Sequence, residues 1–172
     1  MKSIHLMLTK VMLLIGFFTP CAHAQKVSFP EACLGRWTGM MYMYKHGTLR
    51  DSVSVRLTVT KHTDADAWGW KTEYLSARRP AVKDYVLRLK DATKNLYVTD
   101  EGGGLALTDY LVGNKLYSVF ETGGFLLTSS YELIGDLLIF EVTSGKKETV
   151  NHPEVVTYST DNLQRVVFSH EK

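Results

Sequence analysis

Aromatic and sulfur-containing side chains form the densest group of candidate ligand-binding residues in this sequence. They lie an even number of residues apart in each of two short segments, one with Trp37, Met41 and Met43 and the other with Trp68, Trp70 and Tyr74. Alternate residues of an extended strand lie on one face, so each segment would present its aromatic and sulfur-containing side chains on a single face. Thioether side chains adapt to irregular apolar ligands, and paired Trp rings can stack against a ligand ring. Both segments also suit ordinary core packing, and the pattern leaves the two interpretations open.

Acidic residues provide the second group of candidates. Asp100 and Glu101 precede three consecutive glycines, a pattern more typical of a solvated turn than of acid–base chemistry. Asp109 and three glutamates alternate with apolar residues further along the chain. An inward carboxylate paired with an inward Arg88 or Arg165 would be the strongest polar feature of a pocket. The sequence contains no nucleophile elbow, Cys–His pairing or phosphate-binding loop, so we expect a protein that is not an enzyme.

Histidine and cysteine do not form a recognisable metal motif. His46, His62, His152 and His170 are not spaced two or four residues apart, the usual separations of metal ligands on one strand or helix. We therefore expect neither a metal nor a cofactor. Cys33 is expected to be a small buried apolar residue, although a disulfide between two copies of the chain is also open.

Short apolar runs separated by glycine-containing turns predict an all-β fold. The clearest period-two pattern is 52–62, and the region 105–142 is divided by Gly113-Asn114, Gly123-Gly124 and Gly135-Asp136, which suit two-residue hairpins. The segment Ser28-Phe29-Pro30-Glu31 resembles a capping box and predicts a short helical turn before the first strand. Expected strands cover 36–45, 52–62, 68–76, 82–90, 96–99, four segments of 105–142, 154–159 and 163–170, with a flexible loop at 102–104 and a polar loop at 146–153.

Short connections favour antiparallel pairing of consecutive strands. A sheet of this many strands removes its exposed edges by closing, so we predict a single up-and-down antiparallel β-barrel of about ten strands. A β-sandwich is the alternative, but it would need longer crossover connections than the sequence offers.

The N-terminal segment has the pattern of a secretory signal peptide. Lys2 and Lys10 give a positive start, 11–18 is apolar, and Ala22-His23-Ala24 fits a cleavage site. We expect residues 1–24 to be the signal peptide, residues 25–172 to be the barrel domain, and the protein to be periplasmic or extracellular in a bacterium. A lipoprotein site at Cys21 is less favoured because Pro20 precedes it.

Charge and turn lengths argue against nucleic acid and a lipid bilayer as partners. The chain after residue 24 carries equal numbers of basic and acidic residues, which argues against nucleic acid as a partner. A membrane-spanning barrel would have long loops at one end, whereas the expected turns are short at both ends, so membrane insertion is not expected. The sequence makes no prediction of oligomeric state.

The motif Gly35-Arg36-Trp37, placed after a helical turn and before a β-meander, resembles the start of the lipocalin-like barrels of the calycin superfamily. The resemblance covers 25–172 in outline, and it is closest to exported lipocalin-like proteins of Bacteroidetes-type bacteria. It implies a small apolar molecule held in the barrel mouth. In that superfamily an Arg on the last strand often packs against the motif Trp, and Arg165 is the matching residue.

These patterns lead to one main hypothesis and two alternatives. The main hypothesis is an exported, non-catalytic barrel that binds a small, mostly apolar molecule, with Arg165 as a structural closure. The expected lining consists of Trp37, Met41, Met43, Trp68, Trp70 and Tyr74. The first alternative is a filled barrel that docks a cell-envelope partner, and the second is an enzyme that uses inward Glu and Tyr side chains.

Overall fold

A computed structural model describes residues 27–148 and 154–171 of the chain. The expected signal peptide, residues 1–24, lies outside the described residues. Helix α1 covers Phe29–Ala32, and a single 3-10 turn covers Ala92–Lys94. The strands are β1 (Gly35–Lys45), β2 (Thr48–Lys61), β3 (Ala67–Tyr74), β4 (Ala81–Asp91), β5 (Leu96–Gly102), β6 (Leu105–Val112), β7 (Lys115–Thr122), β8 (Phe125–Ile134), β9 (Leu137–Glu148), β10 (Thr157–Tyr158) and β11 (Asn162–His170).

Ten of these strands close into one antiparallel barrel. Strands β1 to β9 pair in chain order, and β11 completes the cylinder by pairing with β9 on one side and β1 on the other. The short strand β10 pairs only with the end of β9 among the described residues. The prediction of an all-β, up-and-down barrel of about ten strands, preceded by a short helix, is confirmed.

The alternation of residue types explains why these segments are strands with one buried face. In β2, Val55, Leu57 and Val59 are almost completely buried inside the barrel, while the residues between them lie on the outer face. The hairpin turns between β6 and β9 place Gly113, the pair Gly123-Gly124, and Gly135 at positive φ. Such turns match the twist of antiparallel strands, which explains the prediction of hairpins from the glycine positions.

The end of the chain differs from the predicted strand boundaries. Strand β9 continues to Glu148, so the polar loop expected from residue 146 begins later, and the strand expected at 154–159 is reduced to β10. Gly145 of β9 has no side chain at the point where the main chain of Ser159 crosses it, and a Cβ there would overlap the Ser159 carbonyl. The expected loop at 102–104 is also shorter, because β5 includes Gly102.

Helix α1 closes one end of the barrel. Phe29 is buried and stacks on Trp70, with ring centroids 6.4 Å apart. The predicted capping box is wrong, because the Ser28 side chain makes no capping hydrogen bond. Glu31 instead accepts a 3.0 Å hydrogen bond from Trp68 Nε1 and lies 3.1 Å from Lys61 Nζ. These bonds fix the helix to β2 and β3, so this end is the closed end of the barrel.

The Gly35-Arg36-Trp37 motif also belongs to the closed end. Gly35 has φ +119°, and a Cβ there would collide with the imidazole of His170, so two independent constraints require glycine. The Trp37 indole N–H donates a 2.8 Å hydrogen bond to the carbonyl of Cys33. Cys33 is fully buried, and burial raises the pKa of its thiol to about 12. The motif therefore joins α1, β1 and the end of β11.

Among the described residues, no helix combines the length and apolar character needed to cross a membrane.

Candidate ligand-binding cavity

A cavity of about 130 Å³ lies inside the barrel, on the side formed by β3 to β9. It extends from the middle of the barrel towards the end opposite α1. Apolar side chains make up much of its wall, and hydroxyl, carboxyl and ammonium groups are interspersed among them. The lining residues are Trp70, Thr72, Tyr74, Lys83, Tyr85, Leu87, Thr99, Glu101, Leu107, Asp109, Leu116, Phe120, Leu127, Ser129, Tyr131, Phe140 and Val142.

Two of the predicted ligand-binding residues, Trp70 and Tyr74, line this cavity. The other inward residues of the predicted set pack in the core instead: Trp37, Met41 and Trp68 are buried, and Met43 packs against the same core cluster. The difference has a geometric cause. The interior beside β1, β2 and β11 is filled by side chains from all three strands, so Met41 and Met43 contact other core residues rather than this cavity.

Arg165 does not occupy the place expected from the resemblance. Val166 and Phe168 of β11 are buried in the core, and side chains alternate along a strand, so Arg165 lies on the opposite, outer face. Its side chain lies on the outer surface, where Nε is 3.1 Å from a carboxylate oxygen of Glu141. The ring partner of Trp37 is His170, whose imidazole meets the indole edge-on with centroids 4.7 Å apart.

Asp109 is the most deeply buried acidic group of the cavity wall. Its exposed fraction is 6%. Thr99 Oγ1 donates a 2.8 Å hydrogen bond to Asp109 Oδ2, and Ser118 lies directly opposite on β7. Burial raises the pKa of Asp109 to about 6, against the opposing effect of the hydroxyls of Thr99 and Ser118, and the charge of Glu101 adds to the rise. The wall thus contains a carboxyl group that ionises near neutral pH.

Glu101 lies nearer the open end of the barrel. Burial raises the pKa of Tyr85 and of Tyr74, and the charge of the Glu101 carboxylate adds to both rises. Lys83 Nζ lies 5.9 Å from the centroid of the Tyr85 ring. The interpretation of Glu101 as part of a solvated turn is wrong, because β5 extends past it and turns its side chain towards the cavity.

An aromatic group forms the inner part of the wall. Tyr131 stacks on Phe140 with centroids 4.4 Å apart and meets the Trp70 ring edge-on at 5.2 Å. Burial raises the pKa of Tyr131, so its hydroxyl keeps its proton. Trp70 is 4% exposed, and its indole N–H lies near the Tyr131 hydroxyl without reaching hydrogen-bonding geometry with any described group. This part of the wall offers flat apolar surfaces and an unsatisfied donor.

The sequence carries a signal for some of the lining residues that lie outside the predicted ligand-binding set. Asp109 stands between Leu107 and Leu111 in an otherwise apolar alternation, which places a carboxyl on the inward face of β6. Tyr85 and Leu87 alternate in the same way on β4. Tyr131 gave no comparable signal, because Ser129 and Ser130 precede it and both faces of β8 are similar in composition.

Comparison with known proteins identifies the fold. No protein-family model and no curated protein matches this sequence. A solved structure of a DUF3598-family protein of unknown function from Nostoc punctiforme is similar over 83% of this chain, with a TM-score of 0.57 and 17% identity. This chain spans about half the length of that protein, since the match covers 49% of it. The fluorescent protein UnaG is more distant, with a TM-score of 0.45 and 16% identity over 82% of this chain and 98% of UnaG. The first of these likenesses is one of fold alone, and it agrees with the closed antiparallel barrel described above.

Proposed function

We propose that this protein binds one small molecule inside the barrel and performs no chemistry on it. The observation that carries this proposal is the cavity itself, which lies within a closed barrel and is lined by apolar side chains with a few converging polar groups. The volume, about 130 Å³, is close to that of engineered cavities of about 150 Å³ that bind benzene. The ligand therefore has an apolar part of about the size of one ring.

We further propose that the protein is an exported bacterial barrel of the Bacteroidetes type and works in the periplasm or outside the cell. The support is the sequence pattern of residues 1–24, with its basic start, apolar run and Ala22-His23-Ala24. N-terminal sequencing of protein recovered from a bacterial periplasm tests this proposal. A new terminus at Gln25 is expected, and an intact Met1 on soluble periplasmic protein would contradict it.

Native mass spectrometry of the protein purified from its host tests ligand binding. A mass above that of the bare chain, which returns to the bare mass on denaturation, is expected. Titration with a small apolar dye tests the same point without the native ligand, because a dye in the cavity lies near Trp70 and should quench tryptophan emission. A bare mass together with no response to the dye would exclude the ligand-binding function.

Docking of a protein partner is the second candidate function. The observation that favours it lies outside the barrel, where Tyr110 and Tyr117 form an exposed cross-strand pair on β6 and β7 beside the exposed Val112 and Val119. Replacement of both tyrosines by Ser would abolish cross-linking to a partner in the host if this function is correct. The same double variant should leave dye binding in the cavity unchanged.

A further inference from the structure

The charge balance of the cavity wall is negative. Among the described lining residues, Asp109 and Glu101 carry carboxyl groups and Lys83 carries the one ammonium group. No Lys, Arg or His of the described chain lies within 4 Å of either carboxylate. A ligand carboxylate would meet repulsion here, whereas a cation would meet attraction that low-dielectric surroundings strengthen.

Asp109 is the group that such a cation would neutralise. It is more than nine-tenths buried, and the side chains that interact with it, Thr99 and Ser118, offer only neutral hydroxyls. Burial of a charge is costly unless that charge is paired. Asp109, Ser118 and Ser129 lie side by side on three adjacent strands and form a polar band across the inner face of the sheet. A ligand ammonium at Asp109 would have a counter-charge and several hydroxyl oxygens within the same band.

The remainder of the wall selects the shape of the ligand. Tyr131 and Phe140 stack on each other, and Trp70 meets Tyr131 edge-on, so a flat ring can join this group in the offset or edge-on geometries that aromatic rings prefer. The unsatisfied N–H of Trp70 can also donate to an oxygen on that ring. A cavity of about 130 Å³ has room for one ring.

We propose that the ligand is a small aromatic amine, whose protonated nitrogen pairs with Asp109 and whose ring packs against Tyr131 and Phe140. This inference rests on the proposed ligand-binding function and adds the chemical class of the ligand.

Isothermal titration calorimetry of the full chain at pH 7.5 with three probes tests the inference. The probes are 2-phenylethylamine, 2-phenylethanol and phenylacetate, which share a ring and differ in the charge of the terminal group. We expect the amine to bind at least about tenfold more tightly than the alcohol, and phenylacetate to bind most weakly. Equal affinities, or preference for phenylacetate, would overturn the inference.

Substitution of the carboxyl group locates the interaction. Asp109→Asn keeps the size of the side chain and removes its charge, so it should weaken amine binding at least about tenfold and weaken binding of the alcohol much less. The matched control is Asp84→Asn, which removes an exposed carboxyl from the outer face of β4 and should affect neither probe. An unchanged amine affinity in Asp109→Asn would overturn the inference.

The outcomes separate this inference from the proposed function on which it rests. If none of the three probes binds while native mass spectrometry shows a bound small molecule, the amine class is wrong and the binding function stands. If no bound molecule is found and neither dye nor probe binds, both are wrong. If Asp109→Asn fails to fold, the comparison of the three probes on the unaltered chain still tests whether the ligand is an amine.

Discussion

Asp109 occupies a position that weakens the fold of the unliganded protein at neutral pH. Its pKa rises from 3.8 to about 6, mainly because burial disfavours the charged form. At about 1.36 kcal/mol for each pKa unit, this difference corresponds to about 3 kcal/mol. Side chains that weaken a fold in this way are common at functional sites, where a ligand supplies the missing interaction.

The pH dependence of Asp109→Asn tests this account. Well below pH 3.8 the carboxyl is protonated in both folded and unfolded chains, so its ionisation does not alter the stability. Between that value and about pH 6 the folded chain holds the proton more strongly, so its stability falls as the pH rises. We expect the stability of Asp109→Asn relative to the unaltered chain to be about 2.4 kcal/mol greater at pH 8 than at pH 4. Urea unfolding at the two pH values measures the difference.

Asp84→Asn is the control for this measurement as well, because it makes the same chemical change on the outer surface. It should show a much smaller change between the two pH values. The account fails if Asp109→Asn and Asp84→Asn have the same pH dependence.

Helix α1 is too short to be stable alone, so its position depends on what it buries. Isolated helices of fewer than about 12 residues are marginal in water, and α1 has four. Its stability comes from Phe29 against Trp70 and from Glu31, which accepts from Trp68 and pairs with Lys61. Because Trp70 also lines the cavity, the helix that closes the barrel supports one wall of the site.

Truncation of Phe29 tests the role of this helix. Phe29→Ala leaves a void behind Trp70 and should lower the free energy of unfolding by about 3 kcal/mol, as measured by urea titration. It should also make tryptophan emission easier to quench with acrylamide, because the closed end becomes accessible. Val27→Ala alters a neighbour that is 64% exposed and should change neither quantity. A loss of less than about 1 kcal/mol in Phe29→Ala would mean that the helix does not hold this end closed.

Closure of the whole barrel depends on one pairing between opposite ends of the chain. Strand β11 pairs with β1 over nine residue pairs, from Trp37 with His170 to Lys45 with Asn162. It also places Val166 and Phe168 in the core. Contacts between residues so far apart in sequence form late and slowly in folding. Without them, both β1 and β9 would present a free edge that can pair with another molecule.

A chain that ends at Asp161 tests this dependence. It lacks β11, so we expect loss of cooperative thermal unfolding by circular dichroism and association of molecules during size-exclusion chromatography. Addition of a peptide with residues 162–171 should restore a cooperative monomeric species. A chain that ends at Glu171 retains β11 and should behave like the full chain. A monomeric, cooperatively unfolding chain without β11 would show that the other nine barrel strands are stable without closure.

The local features of this fold could be predicted from the sequence. The alternation of Val55, Leu57 and Val59 and the glycines at 113, 123 and 135 determined strands, turns and therefore an antiparallel barrel. These are properties of neighbouring residues, since side chains alternate along any strand and positive φ favours glycine in any hairpin turn. The short helix followed from the position of Pro30 in the same way.

The tertiary structure alone decided which inward side chains meet a cavity and which meet one another. Met41 and Tyr85 both point into the barrel, yet Met41 is packed among side chains of neighbouring strands and Tyr85 lines the cavity. The difference depends on the volumes contributed by strands far apart in sequence and on how the cylinder closes, and neither is encoded in a local pattern. For the same reason Arg165 lies outside beside Glu141, because the register of β11 against β9 determines which residues of the last strand face inwards.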